Sequence, residues 1–367
     1  MRERHRGNYQ AAVVPEIATV DVNLPASVLA LADEASIAIA HFDASMGSDV
    51  APFAAVLLRS ESASSSQIEQ LTSGAKAVAL ADIGESTRYN ATQIVANVHQ
   101  MEAAIALADR LDIESVLTMQ KVLMEQHHAD IAGKWRNQQV WIGGSGYGPH
   151  QAEFVPPHHQ DVPALMDDLV TFIGRNDLPV LAQAALAHAQ FETIHPFADG
   201  NGRTGRALMH AMLRGKGLTR DATIPISAGL LADTESYFAT LNAYRQGDAA
   251  AIVELAAEAS FRAVANGREL VADLRDMRER WNTVIHARRD SAAWPLAELL
   301  LRHPVIDGDI VQRELDVTSA NAHRAIRHLA EAGVLTEFTG RSRNRLWQAS
   351  EVISALDDFA VRAGQRR

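Results

Sequence analysis

The 367-residue sequence contains no cysteine, which excludes thiol nucleophiles, Cys-ligated zinc, iron–sulfur clusters and any disulfide framework. Aromatic residues reach only 5%, while alanine is abundant, a balance that favours tightly packed helices over sheets. No uncharged apolar run is long enough to span a bilayer, and the basic start MRERHRGNYQ leads into no apolar signal region, so a soluble, unexported, cytoplasmic protein with no membrane partner is expected. Basic charge is in short supply, 34 Lys and Arg against 45 Asp and Glu for a net charge of -11. That deficit disfavours nucleic acid as a partner of the whole surface and makes charge a matter of region. Internal repeats are absent as well. What remains is a globular composition, 47% hydrophobic and 22% charged, on a chain long enough for two or three packed units.

The periodicity predicts amphipathic helices over residues 24–42 and 93–111, the second with Val95, Val98, Met101, Ala104, Ile105 and Ala108 as its apolar stripe. Between them, residues 59–69 alone would pass as a serine-rich loop. Asp82, Glu85, Asp112 and Glu114 read as ordinary exposed charges. The β-prone runs 140–142 and 152–155 flank a glycine-rich stretch and predict a hairpin, ended by Pro156 and Pro157. Helices follow over 162–175, 179–193 and 202–214, and from 234 to about 285 with a break at Gly247 and Asp248. Beyond a break at 288–294, three short helices (295–302, 309–314, 319–332) precede two β-prone runs, 334–338 and 345–347, the pattern of a helix-turn-helix with a wing. The expected fold is mostly α, with an N-terminal helical region (1–110), a helical core carrying a β-hairpin flap (111–285) and a C-terminal winged helix (290–367).

The densest polar information lies in His195-Pro-Phe-Ala-Asp199-Gly-Asn-Gly-Arg203-Thr-Gly-Arg206, on the connection between two expected helices. Gly200 and Gly202 permit backbone conformations in which consecutive N–H groups converge, and the next helix N-terminus adds free donors and its dipole. Arg203 and Arg206, three apart, share one helix face and can grip phosphate. Asp199 would repel phosphate unless a divalent cation lay between them, so a magnesium-bound nucleotide is the natural ligand. His195 has the pKa range of a general base. His188, Glu192 and His195 recur at i, i+4 and i+7, but this is not the metalloprotease spacing, and His188 and Glu192 read as structural.

These twelve residues match the motif HPFx(D/E)GNGRxxR at every fixed position, and on them the chain resembles the Fic family. The likeness extends to Ala152-Glu-Phe-Val-Pro-Pro157, which looks like that family's target-docking flap, and spans most of residues 8–285. It implies adenylyl transfer: ATP and Mg²⁺ bind at the loop, and a hydroxyl of a target protein docked along the 140–155 flap attacks the α-phosphorus. In that scheme His195 takes the proton and Asp199 holds Mg²⁺. Gly200, Gly202 and Arg203 neutralise the phosphates, Asn201 orients them, and Arg206 reaches the γ-phosphate. The related Doc-type kinases carry Lys where Gly202 stands, so the motif favours adenylylation over phosphorylation. Three other readings stay open: removal of AMP, transfer of another phosphate-containing group, and a nucleotide-sensing DNA-binding regulator. Tyr237 and Tyr244 stand equally as adenine contacts or core.

Resemblance also implies an inhibitory helix of pattern (S/T)xxxE(G/N), whose glutamate pairs with the last arginine of the motif. Ser65 and Glu69 match its fixed positions, while Gln70 departs from Gly or Asn. The C-terminal unit resembles the winged helix appended to many bacterial Fic proteins. Its expected core stripe is Ala322, Ile326, Leu329 and Ala330. Residues 318–349 hold five arginines against Glu331 and Glu337, a local excess that fits phosphate contact by the helix and by the wing residues Arg341, Arg343 and Arg345. DNA and protein are equally open as its partner, and a homodimer is a further candidate assembly.

Overall fold

The computed structural model describes residues 7–47, 50–144, 148–341 and 343–364. Fifteen α-helices and three short strands are found among them, and the chain divides into two compact units. One takes the chain up to Ala38, His99–Arg220 and Asp233–Glu258; the other takes Ile39–Val98, Asp221–Ala232 and everything from Ala259 onward. None of the helices is long and apolar enough to cross a membrane. Both units are described separately below.

The first unit is organised around α7 (Val180–Ile194), in which every residue from Leu181 to Ile194 is buried. Its run of alanines lets neighbours approach on all sides, as a helix apolar around its circumference must allow. It is packed by α6 (Val162–Ile173), α8 (Asn201–Gly215) and α10 (Thr234–Arg245). Gly205 of α8 lies close against α7, where a methyl group would be 3.0 Å from His188 Nδ1 and from Phe191 Cδ1. The helix α5 (Ile113–Met124), capped by the Asp112 carboxylate on the Ser115 N–H (2.9 Å), packs against α6 and α8.

The hairpin expected over 140–155 is reduced to one antiparallel bridge, Ile142 with Phe154. Residues 145–147 at its tip lie outside the described residues. Between Gly143 and Phe154 the chain makes a 3₁₀ turn, Pro149–Gln151; proline there has no N–H for a ladder.

In the second unit the serine-rich stretch is helical, as the resemblance at Ser65 and Glu69 implied and as its composition alone did not. It belongs to α2 (Val50–Ile68), with Ser60, Ser62, Ser64, Ser65, Ser66 and Glu61 all buried. Local and tertiary hydrogen bonds make this tolerable. The Ser62 hydroxyl donates to Leu58 O (2.9 Å), the Asn97 amide donates to Ser62 O (2.8 Å) and Ser66 Oγ (3.0 Å), and the Ser227 N–H donates to the Glu61 carboxylate (2.8 Å) from α9 (Ile226–Leu231). Asp82, expected as an ordinary surface charge, ends α3 (Ala75–Asp82) largely buried, 2.7 Å from Arg59 Nη2 and 3.3 Å from His303 Nδ1. Burial pushes its carboxyl up, but His303 and Arg59 outweigh this and hold it at about 2.

The C-terminal helices α12 (Ala293–Arg302), α13 (Gly308–Leu315) and α14 (Ser319–Glu331) pack on one another. They join a sheet of β1 (Val305–Ile306), β2 (Thr336–Glu337) and β3 (Trp347–Gln348) in the order β1-β3-β2, with Gln348 opposite both Val305 and Thr336. This is the expected winged helix, with two additions: the strand β1, too short to register as a pattern, and α15 (Ser350–Arg362). The core stripe of α14 is Ala322, Ala325, Ile326 and Leu329, so Ala325 rather than the exposed Ala330 completes it. α2 packs on α9, α12 and α15, and α3 packs on α15.

Candidate active site on the 195–206 loop

His195 sits where α7 stops. Its backbone is left-handed (φ 51°), and its N–H still donates to Phe191 O at 2.8 Å. For a residue with a Cβ this conformation is costly unless the surroundings impose it, and Arg136 supplies the constraint. The Arg136 side chain donates to His195 O (2.8 Å), Pro157 O (2.5 Å), Gln138 O (3.2 Å) and Ile194 O (3.4 Å), while its own N–H donates to Pro196 O (3.0 Å). One buried guanidinium thus ties the end of α7 to the chain leaving the flap. Burial draws it down to about 10, against the opposing pull of Asp161 and Tyr9.

The loop after His195 is pinned from three sides. Phe197 is buried beside Trp135 and Phe191, at ring-centroid distances of 4.9 and 6.2 Å. Asn201 and Phe197 exchange two hydrogen bonds of 2.9 Å, the Phe197 N–H to Asn201 Oδ1 and Asn201 Nδ2 to Phe197 O. The Asn201 amide is therefore engaged with the loop itself. Gln120 donates to Asp199 O (3.3 Å) and accepts from the Gly133 N–H (2.6 Å). Gly200 is left-handed (φ 82°), and a methyl group there would lie 2.9 Å from Leu123 Cδ2. Only glycine turns the chain into α8 this close to α5.

Gly202, Arg203 and Arg206 then fall in the first two turns of α8. Arg203 and Arg206 are 4% and 1% exposed; they are interior cations rather than solvated helix charges. The neighbouring Thr204 hydroxyl accepts from Gln100 (2.8 Å), which fixes the roll of the helix. The positive field registers nearby. His127 is held below its ordinary value by burial, by His128 and by Arg203, and buried His188 falls to about 3 chiefly through desolvation, with Arg206 adding to the effect. Interior positive charge at a helix N-terminus is a site prepared for a polyanion. Asp199 is exposed at the loop surface, with Oδ1 accepting the Gly200 N–H at 2.6 Å.

The His195 imidazole is partly exposed, with Nδ1 3.7 Å from Glu192 Oε2 one turn earlier. Glu192 is thus the carboxylate beside the candidate base. His188 instead meets the Tyr237 hydroxyl at 2.8 Å, and the Tyr244 hydroxyl donates to Gln190 Oε1 at 2.8 Å. Both tyrosines are tied to α7, Tyr237 buried and Tyr244 half-buried. Arg245 lies 3.7 Å above the Phe154 ring and donates to Glu192 O (3.3 Å), clamping the flap to the last turn of α7.

The structure therefore brings His195, Asp199, Gly200, Asn201, Gly202, Arg203 and Arg206 into one loop and helix start. Ser65 lies in α2 of the second unit and Glu69 directly after it. The chain reverses there through a left-handed Gln70 (φ 62°), with the Leu71 N–H on Ser66 O at 3.1 Å. The sixth position of the inhibitory pattern is the left-handed residue of a helix C-terminus, which explains why Gly or Asn suits it. Arg341 and Arg345 do not both project freely from the wing. Arg341 pairs with Glu85 (3.2 Å) and accepts Arg345 Nε on its carbonyl (2.9 Å), while Arg343 is exposed. Sequence reasoning missed Arg136, Gln120, Gln100 and Arg245, whose partners are distant backbone and ring atoms that no local spacing announces.

Comparison with known proteins places this geometry. The Fic/DOC family profile matches residues 110–213, and a helix-turn-helix DNA-binding domain profile matches residues 295–349. The chain is 27% identical over 163 residues to a protein adenylyltransferase Fic of Nematostella vectensis, covering 44% of this chain and 35% of that protein. It is 37% identical over 94 residues to a probable protein adenylyltransferase of Aquifex aeolicus, covering 23% of this chain and 29% of that protein. The chain thus spans about a third of the length of these curated relatives. Its fold is similar to the crystal structure of a Fic family protein from Desulfovibrio desulfuricans, with a TM-score of 0.57 and 21% identity over 93% of this chain and 98% of that one. Residues 110–213 are thus similar to the Fic/DOC family and residues 295–349 to a helix-turn-helix DNA-binding domain, each over part of the chain.

Proposed function

We propose that this protein transfers AMP from ATP to a hydroxyl side chain of a target protein. The observation that carries the reading is the pair of buried guanidiniums, Arg203 and Arg206, behind the N-terminus of α8, with His195 at the loop's entrance. The names of the curated relatives support it. ATP brings its triphosphate to the α8 N-terminus, where the Gly200–Gly202 amides and both arginines offset its charge. The target hydroxyl oxygen attacks the α-phosphorus, its proton passes to His195, the bond to the β-phosphate oxygen breaks, and pyrophosphate leaves. Glu192 beside Nδ1 favours a proton on that nitrogen, which leaves Nε2 to accept. Such chemistry asks mainly for positioning and charge stabilisation.

Magnesium fits this site only with help from the nucleotide. Among the described residues no group of three or more His, Asp or Glu could hold a metal, but the exposed Asp199 carboxylate together with phosphate oxygens is the sort of mixed set Mg²⁺ takes. There it would neutralise phosphate charge.

In this reading Glu69 restrains productive ATP binding, and the 140–155 flap receives the target as an extended segment. The winged helix, with exposed Asn321, Arg324, Arg327 and Arg343, takes duplex DNA. A mobility shift that weakens with salt and disappears when Arg324, Arg327 and Arg343 become alanine is expected; no shift at low salt would assign that surface to a protein. The protein works in the cytoplasm. Incubation with ATP labelled at the α- or the γ-position tests the main claim. Label should enter protein from the α-position only and more strongly in Glu69→Gly; label from the γ-position, or from neither, would refute it.

A further inference from the structure

The flap's outer edge is occupied. At the bridge the Ile142 N–H donates to Phe154 O (2.8 Å), and Ile142 O accepts the N–H groups of both Glu153 (2.9 Å) and Phe154 (3.2 Å). Strand alternation then turns the groups of Val155 to the opposite edge. There the Val155 carbonyl accepts the Ala12 N–H at 2.9 Å. The chain's own N-terminal segment lies where strand addition would lay a target.

How that segment is fastened matters. Its C-terminal part is held firmly. The Ile17 and Ala18 N–H groups donate to the Asp168 carboxylate (2.6 and 3.1 Å), Gln190 donates to Pro15 O (2.8 Å), and Arg175 donates to Val20 O (2.8 Å). Its N-terminal part is not. Residues 7–10 are exposed, Val13 is 96% exposed, and Val14 is the one apolar side chain of residues 8–14 that is buried. Besides the Ala12 bond, His150 makes a 3.1 Å contact with Gly7 O and an edge-on contact with the Tyr9 ring at 6.2 Å. A segment buried at one side chain and paired through backbone has little apolar area to lose on leaving.

Beside it lies a cavity of about 400 Å³, lined by Ala12, Pro15, Phe154, Thr193, Tyr244 and Arg245 among others. The segment offers only a methyl group at position 12. A peptide in the same register with a larger apolar or aromatic side chain there would keep the backbone bond to Val155 and add burial against Phe154 and the stems of Arg245 and Tyr244.

We propose that the outer edge of the flap is a docking strip for an extended, apolar target peptide and that residues 10–14 of this chain cover it, so that a target docks by displacing them. The proposal rests on the reading of the flap as the target-binding element. The displacing peptide needs an N–H where Ala12 stands, which excludes proline there, and a bulky apolar residue at that position favours it over the internal segment.

The test uses the full chain in three forms, wild type, Ala12→Pro and Val14→Asp, and two fluorescent synthetic peptides. Both peptides span residues 8–14; one has the native sequence, and the other has phenylalanine where Ala12 stands. The first substitution removes the donor to Val155 and the second the buried anchor, and hydrogen exchange over α7 verifies that the core is intact in each. Both variants should bind the first peptide at least about tenfold more tightly than wild type does, corresponding to about 1.4 kcal/mol. The phenylalanine peptide should bind more tightly than the first to every form. Equal affinity of the three forms for the first peptide, or no binding by any, would overturn the proposal. Peptide binding needs neither ATP nor His195, so a failure of AMP transfer and a failure of this proposal are separate results.

Discussion

Arg136 is the residue whose replacement should most disturb the loop without touching its motif. Its two short side-chain bonds, to Pro157 O and His195 O, are charge-assisted, and such bonds contribute about 1.5–3 kcal/mol each. Allowing for non-additivity and for the weaker bonds to Gln138 and Ile194, Arg136→Met should cost about 3–5 kcal/mol locally, because it strands carbonyls that Arg136 had satisfied. Arg136→Lys keeps a charge but not the planar fork, so it should cost about 2 kcal/mol. Read by hydrogen exchange at the Phe197 and His195 amides, these costs correspond to a loss of protection of at least about 100-fold for the methionine variant and about 30-fold for the lysine variant. Displacing His195 should lower kcat about 10²-fold with KM for ATP little changed, because the arginines that would hold ATP are on α8. Wild-type exchange in both variants would refute the clamp.

Acid should weaken the first unit through His188. Its ordinary value of 6.5 falls to about 3 in the fold, so between those values the unfolded chain binds a proton that the folded one does not, and stability drops as pH falls through this window. Between pH 7.5 and 5.5 the loss should be about 1.4 kcal/mol; denaturant titrations should show it in wild type and not in His188→Gln, and identical pH slopes would contradict the assignment. At the end of α2, Gln70→Gly should relieve a left-handed backbone and raise hydrogen-exchange protection of the Leu71 amide by about 1 kcal/mol. Lower protection in that variant would show that Gln70 is held there by something other than helix termination.

The motif was legible because its chemistry is contiguous: twelve residues in a row carry the candidate base, the glycine turn and both arginines. The winged helix was legible for a similar reason, since the stripe of α14 and the wing's alternation are local patterns. What the sequence hid is held by distant partners. By composition alone the serine run looks like a loop; only its likeness to the Ser65 and Glu69 pattern marked it as helical, and the reason it can be one is that Asn97 and Ser227 satisfy α2 from the side. The 140–155 hairpin looks regular until Pro149 and its 3₁₀ turn interrupt the ladder. Arg136 stands alone between two predicted elements, and its function emerges only when His195 O and Pro157 O arrive from 59 and 21 residues away. The segment along Val155 shows no sequence signal, because its pairing there is through backbone.

The central claim is that His195 acts on the attacking hydroxyl and not on ATP binding. The most direct measurement compares Glu69→Gly with the double variant Glu69→Gly/His195→Ala, following label from α-labelled ATP into protein and ATP affinity by calorimetry on the same samples. The account predicts that transfer vanishes in the double variant while ATP affinity stays within about threefold, less than about 0.7 kcal/mol. Undiminished transfer without the imidazole, or loss of ATP binding along with it, would contradict the account.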